Sequence, residues 1–329
     1  MAIRGRQALL PRVLGMAAAL GLLVAFAPAT AHAAPASATC QSIALPTPEG
    51  TTYSTVYGGD PTGRYLVGSG GGQGLLWVDG RLVPIDQSSL APDILVQFNA
   101  VNRHGVFVGE RMTDPNSFHT DAFVYHDGHF TMLPAPGAGD ETHAVAINSR
   151  GDIVGSAFGA TGWQAVEWPA DRPGTVKVLT TPSGATGLAN GIDEDGTVVG
   201  YLNPWPPGTP YVWPAHGPAH PLPVPAGSVG GNAVAIQNGF VAGNVFDPVS
   251  GSTDAAEWNL RTGTLTMRPA TGAVTSVNRW GTLGLAYSIM HADGRVVPVS
   301  GWVYTVSDRG TAAGTTNYWS GQAELWVGC

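Results

Sequence analysis

Several aromatic and acidic side chains sit in variable loops, expected between second and third strands of a repeated unit, where they could meet a ligand. Phe118, Trp163, Trp205, Tyr318 and Trp319 lie in such loops, together with Asp114, His119 and Asp247. A ring face stacks on the C–H groups of a pyranose, and carboxylates accept hydrogen bonds from its hydroxyls. These eight residues are therefore read as a ligand-binding surface for a glycan, with an extracellular protein as the other partner the same loops suit. The competing reading is structural, because rings of this kind also cap the exposed ends of hydrophobic cores.

The histidines offer less. His126 and His129 flank Asp127-Gly128, and His216 and His220 occupy the equivalent turn two units later. A closed zinc site needs four convergent ligands, and no such set gathers in the sequence, so no metal and no cofactor is expected. Only His119 and His143 are placed to approach the variable loops. No G-x-S-x-G, H-E-x-x-H, Walker-type or dinucleotide pattern occurs in a suitable context, and no catalytic residue is assigned. An enzyme on these loops would be an extracellular polysaccharide lyase or glycoside hydrolase. It would need paired carboxylates about 5 to 10 Å apart or a cluster of His, Tyr and Arg.

Composition narrows the partners. The chain has 15 basic and 23 acidic residues, a formal charge of −8. Three of the basic residues are Arg4, Arg6 and Arg12, and no basic cluster follows them. Nucleic acid, which is held by neutralising phosphates, is therefore not an expected partner. Charged residues make up only 12%, while there are 46 glycines and 26 prolines. That mixture suits many short strands joined by tight turns.

The N-terminus reads as a signal peptide: arginines, then the apolar LGMAAALGLLVAFA run, then Ala31-His32-Ala33. Cleavage after Ala33 leaves one domain, 34–329, secreted by the general secretory route. The run is short for a membrane span of about 20 residues. No membrane insertion is expected, and the product is read as a monomer.

One pattern recurs along that domain: an alternating apolar stretch, an Asn/Asp-x-x-Gly turn, and an apolar run with a second glycine. The clearest copies begin at Ala100, Ala146, Gly191, Ala235 and Ser276, with divergent copies at Val56 and Thr305. The second glycines are Gly68, Gly109, Gly155, Gly200, Gly243, Gly284 and Gly314. They are expected to mark close packing near an axis, where a side chain would not fit. Each copy continues into a strand bearing an aromatic: Trp77, Tyr125, Trp168, Trp213, Trp258 and Trp326, with His291 in the sixth unit. Glu167, Glu257 and Glu324 precede three of these rings and are expected to face solvent or bridge neighbouring units.

Four strands and their turns fit one such unit. The sequence therefore predicts an all-β, seven-bladed β-propeller of four-stranded antiparallel blades. The sixth unit is compressed, which leaves a six-bladed or irregular ring as the alternative. The last unit stops after its third strand, and the segment after Cys40 matches the missing fourth. The N-terminal strand is thus expected to join the last blade, with Cys40 and Cys329 bridged across the position of a hairpin turn.

The A-x-x-I-N-x-x-G-x-V-V-G pattern, followed by a strand ending in an aromatic, resembles the HAF repeat of extracellular bacterial proteins. The resemblance spans essentially the whole domain. It implies a propeller-like fold and export, and it names no substrate. The name-giving His-Ala-Phe triplet is altered here to Asp121-Ala122-Phe123, Gln164-Ala165-Val166, Asp254-Ala255-Ala256 and Gln322-Ala323-Glu324.

Overall fold

In blades 2, 3 and 6 the asparagine that opens the turn does two jobs at once. In blade 2, Asn102 Oδ1 accepts the backbone N–H groups of His104 and Val106, which closes the turn. Gly105 supplies the left-handed backbone the turn needs, at φ +78°. Asn102 Nδ2 then donates to the carbonyl of Asn148 in the next blade, at 3.0 Å. Asn148 repeats the arrangement toward Asp193, and Asn278 toward Ser307. A residue chosen for a local turn thereby also fastens neighbouring blades.

The computed structural model describes residues 40–90, 95–114, 119–203, 208–249, 251–268 and 272–329. The expected leader, 1–33, lies outside them. Seven four-stranded antiparallel sheets form the blades: blade 1 (54–83), blade 2 (96–132), blade 3 (141–178), blade 4 (187–221), blade 5 (230–268), blade 6 (274–298) and blade 7 (302–327). Blade 6 has strands of only three or four residues but is complete, so the ring has seven blades. No helix of the described residues is long and apolar enough to cross a membrane.

Every first strand carries a register shift at the same place, for example between Ala144 and Ala146 in blade 3 and between Ala189 and Gly191 in blade 4. This is a β-bulge, in which one extra residue is left unpaired and the strand bends. The bulge accounts for the repeated second-strand glycine. A Cβ on Gly155 would lie 1.8 Å from the His143 carbonyl oxygen, and one on Gly200 would lie 1.9 Å from that of Leu188. In six blades the obstructing atom is a first-strand carbonyl of the same blade, and in blade 6 it is the Ser276 hydroxyl. The glycines therefore make room for the bulge within a sheet, which corrects the expectation that they relieve crowding at the axis.

The apolar cores lie between sheets. Seven buried clusters occupy the seven blade interfaces, including the one that joins blade 7 to blade 1 through Leu45, Val56, Trp77 and Ala313. The repeated tryptophan anchors five of them, Trp326 among them at the interface of blades 6 and 7. Trp77, Trp168, Trp213 and Trp258 each donate an indole N–H to a carbonyl at the outer strand of the preceding blade: those of Pro46, Pro134, Thr180 and Pro223, at 2.6–2.8 Å. A buried indole needs such an acceptor. Proline at an outer edge offers its carbonyl while presenting no N–H for stray strand pairing. In blade 2 the ring is Tyr125, stacked on Phe107 at 4.5 Å.

The glutamates before these rings act within single blades. Glu167 pairs with Lys177 and Glu257 with Arg268, whereas Glu324 is buried, and burial raises its pKa above the usual carboxylate range. Neither solvent exposure nor bridging between blades, as read from the sequence, describes this set.

Gln41–Ala44 forms the fourth strand of blade 7, paired antiparallel with Ala323–Val327. Cys40 and Cys329 are disulfide-bonded with their Cα atoms 4.6 Å apart. The bridge stands where the other blades have a third-to-fourth hairpin turn. His291 and Arg295 of blade 6 reach the Cys329 carbonyl beside it.

Candidate functional site

First strands line the central channel, and each contributes one bulge residue to its wall. These are Tyr57, Asn99, Val145, Asn190, Val234, Thr275 and Tyr304. The unpaired residue of a bulge is free to be re-aimed, and here all seven border the same passage. Asn99 and Asn190 also donate to carbonyls of the following blade, those of Ala144 and Ala233, at 2.9 and 2.7 Å. The signal was present in the sequence: each bulge residue stands three places before the residue that opens the turn.

The channel has two unlike ends. The Asx turns and the third-to-fourth hairpins form the turn end. The second-to-third loops and the connections between blades form the loop end. At the loop end a cavity of about 340 Å³ is bordered by Tyr57, Gln97, Glu110, His143, Trp163 and Asn190, among others.

Glu110 of blade 2 and His143 of blade 3 are hydrogen-bonded, Oε2 to Nδ1, at 2.8 Å. Thr120 Oγ1 lies 3.2 Å from the other ring nitrogen, and Glu141 Oε2 lies 4.0 Å from it. The Trp163 ring lies 5.5 Å from the imidazole and 5.0 Å from Phe158. This group joins two carboxylates, an imidazole and an indole at one mouth.

A second group runs outward from Tyr57. Its ring meets Tyr304 at 5.4 Å, Tyr304 meets Trp302 at 6.4 Å, and Trp302 meets Tyr318 at 4.8 Å. Tyr318 meets Trp319 at 4.8 Å, and Tyr287 packs edge-on against Trp302. The series begins in the channel wall and ends at Trp319, which is 85% exposed. Burial, partly offset by the Ser69 hydrogen bond, pushes the Tyr57 phenol up to about 12. Burial, with nearby phenols, raises Tyr304 as well. Both therefore stay protonated at ordinary pH and act as rings and hydroxyl donors, not as bases.

Of the residues singled out in the sequence, Tyr318 and Trp319 fall in this series and Trp163 falls beside His143. His119 lies by Asp121, at 3.5 Å, on the same end of blade 2. Asp247 accepts the Val249 N–H at 2.8 Å and shapes its own loop. Phe118, Trp205 and the side chain of Asp114 lie outside the described residues. The pairs His126/His129 and His216/His220 stand at the turn end, away from this mouth. Sequence reasoning missed Glu110 and Glu141 and the bulge residues Tyr57 and Tyr304. Among the described residues no cluster of three or more His, Cys, Asp or Glu is arranged to hold a metal.

No protein-family model matches the chain, and no curated protein does. Solved structures similar to it include a putative TolB from Agrobacterium tumefaciens, with TM-score 0.47 and 9% identity, over 67% of this chain and 81% of that one. XC5397 from Xanthomonas campestris, described as a gluconolactonase, gives TM-score 0.43 and 16% identity over 90% and 92%. TolB from Acinetobacter baumannii gives 0.43 and 12% over 63% and 59%.

Proposed function

We propose that this chain is a secreted binding module that holds a carbohydrate at the loop-end mouth of its channel. The observation that carries the reading is the continuous series of rings from Tyr57 to Trp319, which offers apolar faces at increasing exposure beside hydroxyl and carboxylate groups. Rigid strands hold the inner rings and short loops hold the outer ones, so contacts are placed with little ordering cost on binding. The leader, and the resemblance to extracellular HAF-repeat proteins, support export. A glycan array probed with the wild-type chain and with Trp319→Ala tests the reading. Binding by the wild type that the variant loses is expected, and binding by neither overturns it.

The Glu110–His143–Glu141 group favours a second reading, a glycoside hydrolase or polysaccharide lyase at the same mouth. The protonated state of Tyr57 and Tyr304 weighs against a phenolate base there. Release of reducing ends from polysaccharides by the wild type, lost in Glu110→Gln, would favour the enzyme over the binding module.

A further inference from the structure

We infer that the glycan taken at this mouth is cationic, an oligosaccharide of amino sugars with unacetylated amines; the inference rests on the binding reading above. The argument begins with where the charges lie. Arg64, Arg103, Arg150, Arg279 and Arg309 sit in the turns between first and second strands, and Arg81, Arg172, Arg261 and Arg295 in or beside the third-to-fourth hairpins. All nine belong to the turn end. The other three basic residues of the described chain are each tied to an acid: Arg111 to Asp121 at 3.3 Å, Lys177 to Glu167 at 2.9 Å and Arg268 to Glu257 at 3.6 Å.

The loop end has the opposite composition. Glu110 and Glu141 border His143 at the mouth, and Glu49, Asp86, Asp140, Asp247 and Asp254 stand on the surrounding loops and strand ends. Among the described residues Arg111 is the one arginine or lysine of that end, and Asp121 engages it; the imidazoles there, His119 and His143, each lie against carboxylates. The turn end carries arginines and acids together, as in the pairs of Arg103 with Glu194 and Arg279 with Asp308. The net negative charge of the protein is therefore concentrated around the mouth.

A field of one sign at a concave mouth raises the local concentration of the opposite charge and repels its own. The rings act in the same direction, because the faces of tryptophan and tyrosine attract ammonium groups. An oligosaccharide of ammonium sugars can use both features: some units stack on Tyr318 or Trp319, while the amines of others meet Glu110, Glu141 or an aromatic face. A uronate or a sulfated sugar would meet repulsion from the same surface.

The test titrates the full secreted chain with three oligosaccharides of equal length, at low and moderate salt under mildly acidic conditions. Their units are glucosamine, N-acetylglucosamine and galacturonic acid. The glucosamine oligomer is expected to bind about tenfold or more tighter than the neutral one and to weaken as salt screens the charges. The uronate should not bind. Glu110→Gln and Glu141→Gln should each weaken glucosamine binding about three- to tenfold, in line with one exposed charge contact, and weaken the neutral oligomer less. Equal affinity for charged and neutral oligomers, or preference for the uronate, overturns the inference while the binding reading stands. An equal affinity for oligolysine overturns it too, by reducing the effect to unspecific attraction. Binding of no oligomer, or binding that Trp319→Ala leaves intact, overturns the binding reading itself.

Discussion

At the turn end of the channel, Asn102 reaches Asn148, Asn148 reaches Asp193 and Asn278 reaches Ser307, so the same hydrogen bond joins neighbouring blades at three places. Five residues before the seven turn openers, at the loop end, stand Thr55, Gln97, His143, Leu188, Asn232, Ala273 and Trp302, and no two are alike. The two ends belong to the same hairpins, so the difference does not arise from fold. It shows which end the repeat must keep uniform for the ring to assemble and which end is left to vary. A site that depends on variety belongs to the second.

The comparison predicts large stability effects where the ring is fastened and small ones at the mouth. Reduction of Cys40–Cys329, or Cys329→Ser, should cost most, about 4 to 5 kcal/mol in the loop-entropy account of so long a closure. Urea unfolding of oxidised and reduced protein checks this, and equal midpoints would show that strand pairing alone closes the ring. Gly155→Ala comes next, at about 2 to 3 kcal/mol, because the new methyl must displace the His143 carbonyl within a packed sheet. Asn148→Ala follows at about 1 to 2 kcal/mol, since it strips a buried turn of its cap and the next blade of a donor.

Between the two ends lies Glu324, in the third strand of blade 7. Burial raises its folded pKa above the unfolded value, so the folded form holds its proton over a window where the unfolded form has lost it. Stability therefore falls as pH rises through that window, and the deficit persists at neutral pH. Glu324→Gln should remove this slope and raise the unfolding midpoint at neutral pH. The smallest effect is expected at Trp319→Ala, within about 0.5 kcal/mol of wild type, because the ring is 85% exposed. Lost glycan binding with unchanged melting would separate the two ends cleanly.

The blades and their closure were legible because alternation and turn chemistry are local: Asn148-Ser149-Arg150-Gly151 reads as a turn without reference to anything distant. The sequence-matched fourth strand after Cys40 was legible for the same reason. The bulges show only faintly, as one extra residue that shifts the alternation by a place three positions before the turn, as at Val145. The second-strand glycines were noticed and misattributed, since the carbonyl that excludes a side chain belongs to a hairpin partner whose bend the sequence does not display. Glu110 and His143 are 33 residues apart and meet only through blade packing, so nothing in their spacing announces the pair. Tyr318 and Trp319 were picked as neighbours, but their link through Trp302 and Tyr304 to Tyr57 crosses the point where the ring closes.

That closure also changes what a protease can do. From Cys40 to Cys329 the backbone and the bridge form one covalent circle. A single cut in an exposed loop opens the circle into a line, but both new ends remain attached to the same molecule and to their own sheets. No fragment leaves until a second cut is made or the bridge is reduced, so one nick does not by itself break the molecule apart.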